Sequence, residues 1–215
     1  DQPKRFAYVL LRPHWESWLV KGGYAITVFG GLLTLMAVAK FFEWSLVFEI
    51  GMYVTGLSAL LVAIYTAFLF AQAKGRDFWQ SPTLSIHMLV HSLMAGSAVL
   101  ILMQIIVSNS MQWQDYLVTA LIIAIAVNLF TLVIELGTTH PTKDAKTVVK
   151  MIMKGRYKMQ FWSLVIALGN ILPLLLLLAL GTQLPIAAAA AVLVLIGIYV
   201  NNHIWVEAPQ RISLV

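Results

Sequence analysis

Residues 116–136 read YLVTALIIAIAVNLFTLVIEL, with Glu135 their only charge. At 1.5 Å rise per residue, a helix of that length covers the roughly 30 Å hydrocarbon core of a bilayer. A strand is excluded, because the run is far too long and lacks two-residue alternation. Five other stretches read the same way, placing spans near 18–39, 46–72, 83–107, 116–136, 161–181 and 184–206. With 60% hydrophobic and 11% charged residues, the composition excludes an ordinary water-soluble domain. The expected fold is all-α: a single polytopic bundle of about six transmembrane helices over residues 1–215, embedded in a lipid bilayer.

The basic residues support that count. Six crossings return both termini to one side, and thirteen of the fourteen Lys and Arg residues then share that side. Only Lys40 lies opposite. The positive-inside rule assigns the basic side to the cytoplasm. The net charge of +5 therefore reports topology, and without a basic soluble module no nucleic-acid partner is expected. The chain has no cysteine, which excludes disulfides, thiol chemistry and cysteine-ligated clusters of its own. Residues 142–158 read as a basic amphipathic helix outside the membrane, capped by Thr142, with Val148, Val149, Ile152 and Met153 on one face. Such a helix lies on headgroups or docks a partner.

Polar residues inside the spans crowd toward the basic side. Tyr24, Tyr65, His87, His91, Asn128, Glu135, Asn201, Asn202 and His203 all fall there, whereas the other halves offer little beyond Gln104. Polar groups inside membrane helices are costly, so this grouping marks a candidate site for a polar headgroup near one surface. Each member also has a plainer reading. The tyrosines suit an interfacial belt, His87 a wetted surface histidine, and Glu135 either a snorkelling side chain or a proton relay. Asn201 to His203 read as a helix end, and Asn170 with Pro173 as a kink. Gly22, Gly23, Gly30, Gly31 and Gly96 read as close-packing positions. A metal would find only Glu135 and His203 at the depth of the histidine pair, and a haem only His91 with His203 as axial ligands.

Several segments carry a family resemblance. DQPKRFAYVLLRP at 1–13, then WLVKGGY at 18–24, is similar to the entry into the third helix of NrfD/PsrC-type membrane subunits, the anchors of polysulphide reductase and related complexes. YTAFLF at 65–70 resembles the tyrosine motif ending the next helix. RDFWQSP at 76–82, with His87 and Ala95-Gly96, is similar to the following loop and helix. GRYKMQFW at 155–162 and GNILP at 169–173 resemble later family patterns. Family members carry eight or more helices, so the expectation is that two helices precede the chain's start.

The resemblance implies a multi-pass subunit of a prokaryotic plasma (inner) membrane, reactive toward menaquinone or ubiquinone and holding no haem and no metal. It implies partners as well: a four-cluster ferredoxin-like Fe–S subunit and a catalytic subunit, often a molybdenum or tungsten enzyme. Tyr65, His87, His91 and Tyr24 are the expected quinone-binding residues, Glu135 and Asp77 the proton relay, and Arg76, Trp79 and Arg12 the partner-docking residues. In polysulphide reductase the partners are periplasmic, whereas the basic side here reads as cytoplasmic. A basic face suits an acidic Fe–S partner. Competing readings are a passive anchor without redox role, a haem b anchor, and a proton- or ion-conducting transporter subunit. A transporter would place polar groups at the midplane and in both halves.

Overall fold

The computed structural model describes residues 11–107 and 113–213. The first ten residues of the 1–13 motif therefore lie outside the described residues. The chain divides into two compact units, Asp1–Ala73 and Lys74–Val215. Six helices are long and apolar enough to cross a membrane, and the described residues contain no strand. The chain is a multi-pass helical membrane protein.

The first unit is a hairpin of α1 (Trp18–Phe41) and α2 (Ser45–Ala71). Its turn uses Glu43 at φ 58°, a left-handed conformation usually given to glycine. The gain is two closing bonds: Trp44 N–H donates to the Ala39 carbonyl at 2.8 Å and Glu43 N–H to that of Lys40 at 3.4 Å. At the other end, the Trp18 N–H, an unpaired donor of the first helical turn, reaches Gln72 Oε1 at 2.9 Å. Gln72 Nε2 donates in turn to the Glu16 carbonyl at 3.2 Å, tying the start of α1 to the end of α2.

The second unit contains α3 (Thr83–Ile106), α4 (Gln114–Gly137), a short α5 (Lys143–Met153), a wide π-helical stretch (Gln160–Ile171) that runs into α6 (Leu172–Leu180), and α7 (Leu184–Gln210). A single 3₁₀ turn, Asp77–Gln80, precedes α3. The core joins Met94, Ala98 and Ile101 of α3, Leu121 and Ile125 of α4, and the small Ala187, Ala190 and Ala191 of α7. A Cβ built on Gly169 would come within 2.5 Å of the Gly197 backbone, so the π-helical stretch and α7 cross backbone to backbone. Large apolar side chains point outward instead, among them Phe130 at 65% exposure and Val133 at 69%. In water such a surface would drive aggregation, while in a bilayer it is the solvated face.

Element bounds follow the expected spans to within a few residues, with two informative differences. The last helix continues to Gln210, so Asn201, Asn202 and His203 lie inside it and do not cap its end. The basic helix stops at Met153, where Gly155 packs against the Met151 backbone. Thr142 does cap it, accepting from the Ala145 N–H at 3.3 Å. Its apolar stripe of Ala145, Val148 and Ile152 is buried within the unit and not offered to headgroups. Nor do all the expected packing glycines pack: at Gly30, Gly31 and Gly96 an added Cβ would meet nothing within 4 Å. The kink residues behave differently again. Pro173 opens α6 with no N–H to donate, and just before it Asn170 Nδ2 bonds the Val165 carbonyl five residues back at 2.8 Å.

Candidate functional site

The candidate residues divide between the two units. In the first, Tyr65 lines a pocket of about 240 Å³ with Trp18, Lys21, Ala25, Leu61, Ile64 and Phe68. Its ring packs directly against α1 because position 22 is glycine: any Cβ there would overlap the ring carbons. Trp18 stacks on Phe68 at 4.4 Å between centroids and 15° between planes, giving the pocket an aromatic wall. The volume falls below the roughly 300–1,000 Å³ of a drug-sized site, so the pocket admits only a small group. Tyr24 does not line this pocket; it packs on Trp15 at 4.8 Å. Arg12, in the same unit, is exposed.

In the second unit α3, α4 and α7 converge on a buried polar network. His87 Nδ1 lies 2.8 Å from Glu135 Oε2, and Trp205 Nε1 donates to Glu135 Oε1 at 3.1 Å. Asn201 Nδ2 bridges both histidines, 2.8 Å from His87 Nε2 and 3.3 Å from His91 Nε2. His91 Nδ1 ends the line 3.0 Å from Asn202 Oδ1. One proton assignment satisfies every bond. Both Glu135 oxygens accept, from the His87 Nδ1–H and from Trp205, the two hydrogens of Asn201 Nδ2 meet the two Nε2 lone pairs, and the His91 Nδ1–H faces Asn202. A second pair, Asn128 Nδ2 donating to Asn170 Oδ1 at 2.9 Å, links α4 to the π-helical stretch.

This geometry revises several expected roles. His87 is 0% exposed with both ring nitrogens engaged, so it is neither a wetted surface histidine nor free to ligate a headgroup. His91, at 4%, is engaged in the same way. Glu135, at 2%, does not snorkel. Trp79, expected to dock a partner, is buried and donates its indole N–H to the Trp205 carbonyl at 2.9 Å. Arg76 spends its guanidinium on the Pro209 and Ile212 carbonyls at 2.8 and 2.5 Å, fastening the loop before α3 to the end of α7. Asp77 lines a small crevice beside Arg76 and Asp144, with no described bond to the Glu135 network. His203 turns outward to Glu207 at 2.9 Å with a 54% exposed side chain, so it does not share the buried surroundings of His91 as a haem pair would require. Glu207 also bonds Arg211, and that hydrogen bond holds the guanidinium above its usual range.

Asn201 and Trp205 are the residues whose central place the sequence did not disclose. Their signal is spacing: both stand on α7 at i and i+4, the interval that also aligns His87 with His91 on α3. A family model described as "Polysulphide reductase, NrfD" matches residues 1–212. A comparison with curated proteins returns no match.

Proposed function

Since this chain belongs to the polysulphide reductase NrfD family, we propose that it is the quinone- or quinol-reactive membrane subunit of a respiratory oxidoreductase complex. It passes electrons between menaquinone or ubiquinone and a docked four-cluster ferredoxin-like Fe–S subunit, which serves a molybdenum- or tungsten-dependent catalytic subunit. The membrane is a prokaryotic plasma membrane.

The observation that carries the reading is the Tyr65 pocket: a tyrosine among aromatic and aliphatic neighbours, with Lys21 beside it, its ring seated by Gly22. A quinol bound there would lose two electrons, one at a time, to the docked Fe–S subunit and two protons to the medium, and become quinone. The Tyr65 hydroxyl accepts from a quinol OH, then donates to the carbonyl oxygen left behind. The aromatic wall holds the ring, and Leu61, 59% exposed at the pocket's flank, suits an isoprenoid tail. The second unit contributes proton-handling groups. There, the hydrogen-bonded pair of Glu135 and His87 is the group that would exchange protons.

A photoreactive azidoquinone irradiated with the whole complex tests the site. Labelling is expected in the peptide around Leu61–Phe68 and should disappear with excess natural quinone. Labelling confined to other segments would remove Tyr65 from the reading, and a passive anchor would show none that quinone displaces.

A further inference from the structure

Besides Trp18, two residues that carry a polar head line the Tyr65 pocket: Tyr65 itself and Lys21. Lys21 Nζ lies 4.5 Å from the centroid of the Trp18 ring, which also stacks on Phe68, so the charge sits at the aromatic side of the pocket. No carboxylate pairs with Lys21 among the described residues, and the first turn of α1 carries no acid. The amide dipoles at the start of a helix make that potential still more positive. A cation beside an apolar slot, resting on an aromatic ring and with no carboxylate partner among the described residues, attracts a ligand that carries, or develops, negative charge beside its ring.

Quinol oxidation produces such charge, because each hydroxyl that loses its proton leaves an anionic ring oxygen. We propose that Lys21 is a headgroup ligand complementary to Tyr65, one that selects the anionic form of the ring. Tyr65 exchanges a neutral hydrogen bond with one oxygen, and Lys21 meets the charge on another. The pocket therefore prefers an ionised hydroxyquinone to a neutral quinone of the same size. This assignment rests on the quinone reading of the pocket, and the test separates the two.

Binding of two probes to the intact complex is measured by equilibrium dialysis. One is a hydroxynaphthoquinone, ionised at neutral pH, and the other is menadione, its neutral methyl counterpart. Lys21→Met should weaken the ionised probe by about tenfold and leave menadione within about twofold, the difference expected when a charge-assisted contact is lost. Lys21→Arg should keep most of the preference, since it retains the charge. A general loosening of the pocket would instead weaken both probes together, and that result overturns the assignment. Tyr65→Phe isolates the underlying reading. If it weakens both probes while Lys21→Met changes neither, the assignment of Lys21 fails alone. If neither variant alters either probe, the pocket does not hold a quinone and both ideas fall.

Discussion

Glu135 sits two residues from the end of α4, close enough to the interface that its sequence position allows either a snorkelling carboxylate or a relay. The structure excludes snorkelling through its neighbours: two buried donors, the His87 imidazole and the Trp205 indole, point at its two oxygens. Glu135→Ala strands both, at about 1–3 kcal/mol for each unsatisfied buried donor. Glu135→Gln keeps one acceptor and should cost visibly less. Thermal unfolding of the two variants in lipid nanodiscs should give that order, and equal midpoints would mean that the carboxylate does not organise this end of the bundle. The types of residue at the site were legible, because a polar group inside an apolar span announces itself. Their partners were not. Nothing in a single sequence says that Asn201 Nδ2 meets two imidazoles at once, since that depends on how α7 is rotated against α3.

Helix existence was legible at the scale of elements, because length and unbroken apolarity suffice, whereas helix contacts were not. Gly96 and Gly197 look alike in sequence, yet only Gly197 touches a neighbouring backbone, at Gly169. Gly197→Ala and Gly169→Ala should each force the π-helical stretch and α7 apart, costing about 1–3 kcal/mol or more as overpacking does. Gly96→Ala should be nearly silent, because its added methyl meets nothing. Yield of folded protein and thermal midpoint read the contrast, and a silent Gly197→Ala would contradict the crossing. The wide helical stretch before Pro173 was legible only as a kink, since proline removes a donor without saying how far upstream the winding adjusts.

For the whole molecule, the asymmetry of basic residues assigns both termini and the segments near Lys74–Ser81 and Gly137–Gln160 to one compartment. Cysteine introduced at Lys146 and at Met111, the latter outside the described residues, should be labelled from opposite sides of the membrane. Labelling of both from one side would overturn the six-span count. The division into two units was not legible, because hydropathy reports the solvent around each helix and not which helices pack together. The central claim is that quinone reacts at the Tyr65 pocket. Its most direct test is turnover of the purified complex carrying Tyr65→Phe, assayed once with quinone and once with a soluble artificial electron carrier. Loss of one hydrogen bond predicts quinone-linked turnover reduced by about two- to tenfold, more if the bond strengthens as charge develops, with carrier-linked turnover unchanged. Wild-type rates in both assays, or an equal fall in both, would contradict it.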